Sequence, residues 1–156
     1  MKQLPSLDEI QKQMAPGVIT LEGFLGPDKR KLVDILAADE KLVHHANTSN
    51  AKIAEKMQYF RDLGLKGLGE FISVEPHFEV KVDSVRGKLP SPFGGPGMFE
   101  KVNTTVVNKQ LNREIFYTDL HIHLIKEHGF FQGVGSRYRL EPQDVIKVLE
   151  VLPDEL

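Results

Sequence analysis

Hydrophobic and polar positions along this chain change period twice, from helical spacing to strand alternation and back. Leu7, Ile10 and Met14 recur at helical spacing, and Ser6 with Glu9 makes an S-x-x-E capping box. A short helix is predicted from about Leu7 to Met14, ended by Pro16 and Gly17. The run Val18 to Phe24 is rich in strand formers and reads as a strand or extended segment. Gly26 and Pro27 open a longer helix, with Pro27 suited to its first turn and Leu32, Ile35, Leu36, Leu42, Val43 and Ala46 as its apolar stripe. A polar turn over Asn47 to Asn50 leads into a second helix, to about Leu63, with Ile53, Ala54, Met57 and Phe60 inward.

After the glycines at 64, 67 and 69 the period becomes two. EFISV and FEVKVDSV read as strands around a turn at Glu75 to His77. Phe78, Val80 and Val82 alternate with Glu79, Lys81 and Asp83, which marks a half-buried strand. Val102, Thr104 and Val106 repeat the pattern, and REIFYT follows a turn over Asn108 to Asn112. Between these strands lies LPSPFGGPGMF, whose three prolines and three glycines leave an irregular loop.

Helical period returns at Asp119. Asp119, His123, Lys126 and Glu127 fall within an arc of about 100°, opposite Leu120, Ile122, Leu124 and Ile125. Thr118 suits the N-cap and Gly129 the left-handed residue after the last turn, so a helix is predicted from Asp119 to His128. Glu141 and Pro142 start a final helix with Val145, Ile146, Leu149 and Leu152 inward. The expected fold is α+β: an antiparallel sheet of three to five strands with helices packed on one face, a single domain over 1–156 with a peripheral N-terminal helix in 1–16.

Composition narrows the function. The chain has 156 residues, a formal net charge of −2 and no cysteine. Disulfides, thiolate zinc sites and cysteine nucleophiles are excluded. No basic field draws nucleic acid, and Glu55 and Asp62 dilute the cations of the 50–63 helix, so helix-turn-helix binding is not expected. No apolar signal core and no run of about 18 apolar residues occurs, so the reading is a cytoplasmic protein with no membrane span.

Candidate chemistry gathers in IFYTDLHIHLIKEHGFFQGVGSRYR, from Ile115 to Arg139. His121 and His128 project onto the apolar side of the 119–128 helix and His123 onto the charged side. A buried imidazole is either a hydrogen-bonded core group or a proton-transfer group lining a pocket. His121 and His128 are thus the catalytic candidates, and His121, His123 and His128 are weak metal candidates. The string DLHIH resembles the metal-binding His-x-His of amidohydrolase barrels, which need well over ~200 residues. The 33 residues that follow His123 in this chain are too few, so no role is carried over. His121 and His128 are also about 10 Å apart along a helix axis, long for one metal to bridge. No metal and no particular cofactor is therefore expected.

Gly133, Gly135, Ser136, Arg137 and Arg139 form a glycine-spaced loop whose N–H groups and guanidinium forks suit an anion, and Phe93 on the Pro-Gly loop offers a lid or ledge. The leading expectation is a protein that binds a small anionic molecule, with a pocket near the His121/His128 helix and the 133–139 loop. The alternatives are an enzyme using His121 or His128 as general acid–base or metal ligand, and a protein-interaction module without a pocket.

Overall fold

The computed structural model describes residues 3, 5–95 and 97–153. Four antiparallel strands form a meander in the order β1 (Ile72–Val74), β2 (Phe78–Leu89), β3 (Phe99–Asn108) and β4 (Arg113–Thr118). Alternation sets the register: Val80 faces Val106, and Val106 faces Ile115. One face of the sheet presents Phe78, Val80, Val82, Val102, Val106 and Tyr117, all buried. Against it pack α3 (Asn50–Gly64), α4 (Asp119–His128) and α5 (Pro142–Val148) through Ile53, Met57, Phe60, Ile125, Val145 and Leu149. The Tyr117 hydroxyl, inside this layer, donates to the Met57 carbonyl at 2.7 Å. The protein is thus an α+β domain with helices packed on the sheet.

A second apolar cluster lies beside the first. Met14, Phe24, Leu32, Ile35, Leu120, Leu124 and Phe130 join the end of α1 (Pro5–Gln13), α2 (Leu32–His45) and α4. The other side of the sheet carries the opposite set of the alternation, including Glu79, Lys81, Asn103, Thr105 and the half-exposed Phe116. Past a register shift between Val85 and Lys88, β2 and β3 continue as a two-stranded arm to the pair Leu89–Phe99.

Four expectations need correction. Val18 to Phe24 is a series of turns and bends, not a strand. Gly23 explains this locally: it has φ +72, and a Cβ there would meet the Met14 carbonyl oxygen at 2.5 Å, so the segment folds back on the end of α1. The helix expected from Pro27 begins at Leu32, because the Asp28 carboxylate closes a loop by accepting from the Arg30 and Val134 backbone N–H groups. Helix α1 begins at Pro5, which puts Ser6 inside it rather than at its cap. Leu152 is 73% exposed, and Val148 takes the buried place. The chain turns out of α5 through Glu150 at φ +55, so the helical projection stops short of Leu152.

Gly64 fixes the distance between α3 and the sheet. A Cβ at this position would meet Val82 Cγ2 at 2.5 Å and Val80 Cγ1 at 2.7 Å. Both contacts are with β-branched side chains, which rotate little. Gly64→Ala gains up to about 1 kcal/mol of helix propensity but overpacks the layer, which costs about 1–3 kcal/mol. The expected outcome in urea denaturation is a net loss of stability. A more stable variant would show that α3 does not need this close approach.

Candidate functional site

A cleft of about 600 Å³ opens where the uncovered end of the sheet meets two crossing loops. Its sheet wall comes from Val85, Lys101, Asn103 and Phe116. Opposite stand the turns of 19–24, and at one end lie Thr118, Leu120, His121, Gln132, Arg137 and Tyr138. A shallower depression shares Val85 and Glu100 with it and adds Arg86 and Lys88. Together the two are bordered by four cations, Arg86, Lys88, Lys101 and Arg137, against two carboxylates, Glu22 and Glu100. Arg137 lies 5.3 Å from the centre of the Tyr138 ring and 3.6 Å from Glu22. That ion pair is 69% and 52% exposed, so it is weak and opens readily.

His121 holds the inner end of the cleft together. It is the third residue of α4, and its ring reaches back to the cap: Nδ1 accepts from the Thr118 backbone N–H at 3.0 Å, while the Thr118 hydroxyl accepts from the His121 N–H at 3.3 Å. Nε2 lies 2.9 Å from the Tyr138 carbonyl oxygen. A carbonyl only accepts, so Nε2 carries the proton and the ring is neutral. Burial holds its pKa down, from 6.5 to about 4, with the Tyr138 bond opposing. His121 therefore serves as a cap and a brace, with both nitrogens occupied.

Two loops cross behind it, and glycine permits the crossing. A Cβ on Gly133 would sit 2.2 Å from the Leu25 carbonyl oxygen, and one on Gly135 would meet Pro27 Cγ at 2.6 Å. The Gly133 N–H donates to the Phe24 carbonyl, and the Val134 N–H to Asp28. Arg30 binds Asp28 through two nitrogens and holds its carboxyl well below the usual range, against the effect of burial. Gln132, buried and at φ +72, is a strained residue at this junction. Arg139 locks the crossing. Its side chain is 6% exposed and Asp39 is 2% exposed. Nη1 and Nη2 donate to the two Asp39 oxygens at 2.7 and 2.8 Å, Nη1 also donates to the Gln132 carbonyl, and Nε donates to Glu141. Burial opposes the charge, but the bonds to Asp39 and Glu141 raise its pKa further.

On the outer face of α4 four rings form a chain. Phe99 tilts against His123 at 4.4 Å, His123 meets His128 edge-on at 5.7 Å, and Phe93 stacks on His128 at 3.9 Å. Burial lowers the His128 pKa, the neighbouring His123 lowers it further, and Glu127 opposes. Phe93 and Phe99 flank the 94–98 stretch, so both sides of that irregular segment are held to α4. Among the described residues no group of three or more His, Asp or Glu side chains is placed to hold a metal, and no helix is long and apolar enough to cross a membrane.

Of the residues singled out in the sequence, the cleft is lined by His121 and Arg137. His123, His128 and Phe93 belong to the ring chain. Gly133 and Gly135 permit the loop crossing, the Ser136 hydroxyl bonds the Gln132 side chain at 3.3 Å, and Arg139 lies in the buried ion pair. Sequence reasoning missed Lys101, Phe116, Gln132, Tyr138 and the 19–24 turns. Val85 and Phe116 carried a readable signal: each is a large apolar residue on the polar phase of a strand. No protein-family model matches the chain, and neither a curated protein nor a solved structure matches it.

Two outcomes follow from these bonds. Unfolded, the His121 imidazole takes a proton as pH falls through 6.5; folded, it does so only near 4. Its contribution is complete above about pH 6.5 and declines as pH drops to about 4, by roughly 3 kcal/mol. His121→Gln keeps a capping box without the titration. Urea denaturation between pH 7 and 4.5 is expected to give a flatter stability profile for the variant, and an unchanged slope would refute the assignment to His121. Arg139→Met strands the Asp39 carboxylate in the interior and is expected to cost roughly 3–5 kcal/mol. Most of that loss should return in Arg139→Met/Asp39→Leu. A loss below ~1 kcal/mol in the single variant would show that the pair is not the lock described here.

Proposed function

We propose that the protein binds a small anionic molecule in the cleft between the open end of the sheet and the 19–24 and 132–138 loops. The observation that carries this reading is a concave, largely apolar cleft of about 600 Å³ that has Lys101 and Arg137 among its lining residues and adjoins a depression lined by Arg86 and Lys88, in a chain whose formal net charge is −2. Cavities of this size and lining are the usual sites for small ligands. Within the cleft Lys101 and Arg137 stand against Glu22 and Glu100, and the adjoining depression adds Arg86 and Lys88, so the surplus of positive charge belongs to the two together and runs against the charge of the whole chain. Lys101 makes no ion pair among the described residues, and Arg137, which lies over the Tyr138 ring, has only the weak ion pair with Glu22. Both are free to meet an incoming anion. Binding is favoured over turnover because both nitrogens of His121 already have partners, and His128 sits under Phe93 rather than in the cleft lining.

The test is a thermal-shift panel of small carboxylates, phosphorylated metabolites, nucleotides and neutral compounds. A ligand at about 100 times its Kd stabilises the native state by roughly 2.7 kcal/mol, a rise in Tm of roughly 5–10 °C for a domain of this size. At least one anion is expected to produce such a shift. The Lys101→Ala/Arg137→Ala variant should lose most of it while melting normally without ligand. Shifts that survive the double substitution, or a panel in which only neutral or cationic compounds act, would overturn the proposal.

A further inference from the structure

We propose that the occupant of this cleft is an aliphatic monocarboxylate, a molecule with a fatty-acid-like body and one negative charge, rather than a phosphorylated metabolite. This rests on the reading of the cleft as an anion-binding site and goes on to name the chemical class.

The first argument is the fate of the donors that a phosphate would need. Phosphate sites use several backbone N–H groups converging on one point, backed by guanidinium forks. The glycine-spaced loop has the composition for this, but three of its N–H groups are engaged elsewhere. The Gly133 N–H bonds the Phe24 carbonyl at 2.9 Å, the Val134 N–H bonds Asp28 at 2.9 Å, and the Ser136 N–H bonds the Gly133 carbonyl at 3.0 Å. Every nitrogen of the Arg139 guanidinium donates inside the protein. The N–H groups of Gly133, Val134 and Ser136 therefore do not converge on a ligand, and the charge at the cleft comes from side chains.

The second argument is how that charge is arranged. Lys101 stands on the sheet wall and Arg137 on the loop at the inner end, each a single cation on its own element. Glu22 lies 3.6 Å from Arg137, and Glu100 borders the cleft next to Lys101 in sequence. A dianion would meet carboxylates as well as cations wherever it sat. A single carboxylate can take the place of Glu22 on the Arg137 fork and leaves Glu22 free to turn to solvent.

The third argument is the remainder of the lining. Ile19, Leu21, Val85, Leu89 and Leu120 are aliphatic, and no two aromatic rings of the cleft pair as a slot for a flat ring among the described residues. At the mouth, Leu21 is 88% exposed, Val85 56% and Phe116 44%. These apolar groups left in water are the surface that an alkyl chain would cover.

The test uses the full chain and a series of sodium octanoate, decanoate and dodecanoate, each titrated below its micellar concentration by calorimetry. Decanol, decyl phosphate, inorganic phosphate and glucose 6-phosphate are the comparison arms. Each buried CH₂ should tighten binding roughly 3–4-fold, hence about 10-fold for every two carbons. Decanoate is expected to bind at one site and at least about 10-fold more tightly than decanol. Arg137→Ala should bring decanoate close to decanol, and Phe116→Asp should weaken both while leaving the melting temperature without ligand unchanged. If glucose 6-phosphate, inorganic phosphate or decyl phosphate binds more tightly than decanoate, and Arg137→Ala weakens it, the cleft remains an anion site and the monocarboxylate assignment fails. If no probe binds, or binding ignores both substitutions, the assignment and the reading beneath it fall together.

Discussion

Arg139 and Asp39 lie 100 residues apart in the chain and meet out of contact with water. Moving both charges indoors costs several kcal/mol for each ion, and the fold compensates only by filling the remaining hydrogen-bonding positions. Here it does so: the guanidinium donates to both Asp39 oxygens, to the Gln132 carbonyl and to Glu141. The geometry of everything downstream is set by that requirement. The Gln132 carbonyl is pinned to α2, and the strained φ of Gln132 is held in place by the same bond. Tyr138, next to Arg139, presents its carbonyl to His121, and His121 caps α4 where the chain leaves β4. One continuous path of polar contacts therefore runs from α2 to the end of the sheet, and the inner end of the cleft is built along it.

The ring chain on α4 works by a different force and on a different scale. Aromatic pairs contribute about 0.5–1.5 kcal/mol each beyond their burial, so the stacks of Phe93 on His128 and of Phe99 on His123 are modest singly. Their placement matters more than their strength. They hold the two sides of the 94–98 stretch, whose Gly94, Gly95 and Gly97 have positive φ and open space around them. Phe99 also lines the cleft, so the wall of the cleft and the base of this segment share a residue. Burial lowers the His128 pKa, and the neutral ring that this favours gives up less hydration on meeting Phe93 than a charged one would.

Local signals in the sequence were enough for the elements whose ends are chemically marked. Helix α4 runs from Asp119 to His128 with Thr118 as its cap and Gly129 left-handed, as its end residues require. The alternation in β2 and β3 gave the sheet its buried face, and the α+β class followed from the order of periods. The failures share one cause. Val18 to Phe24 has the residues of a strand, yet Gly23 folds it back on the end of α1, so several of its apolar side chains line a cleft instead. Leu152 continues the stripe of α5 on paper, but Glu150 turns the chain first. Ser6 and Glu9 match a capping motif that a helix starting two residues earlier, at Pro5, bypasses. In each case the local pattern was real, and where the chain turned or where its helix began decided its use.

The glycine-rich loop shows the same limit in the candidate site. Glycine at 133 and 135 is compatible with two physical demands: backbone donors turned towards an anion, or a second chain passing too close for a side chain. Spacing along the sequence cannot separate them, because both select for the missing Cβ. The position of Leu25 and Pro27 separates them at once, and the demand here is the crossing. Arginine carries a similar ambiguity. Arg137 and Arg139 are two residues apart, and the turn closed by the Arg139 N–H on the Ser136 carbonyl sends one guanidinium to the cleft and the other into the ion pair with Asp39. The anion site we propose therefore lies in a different place from the one the sequence suggested. It resides in Arg137 and in Lys101, a lysine on an ordinary polar strand phase, and in apolar residues such as Phe116 that break that phase. On the open face of a half-covered sheet, apolar residues gathered into a patch, as Val85, Phe116 and Leu21 are around the cleft, are a better pointer to a binding surface than the glycines or the histidines.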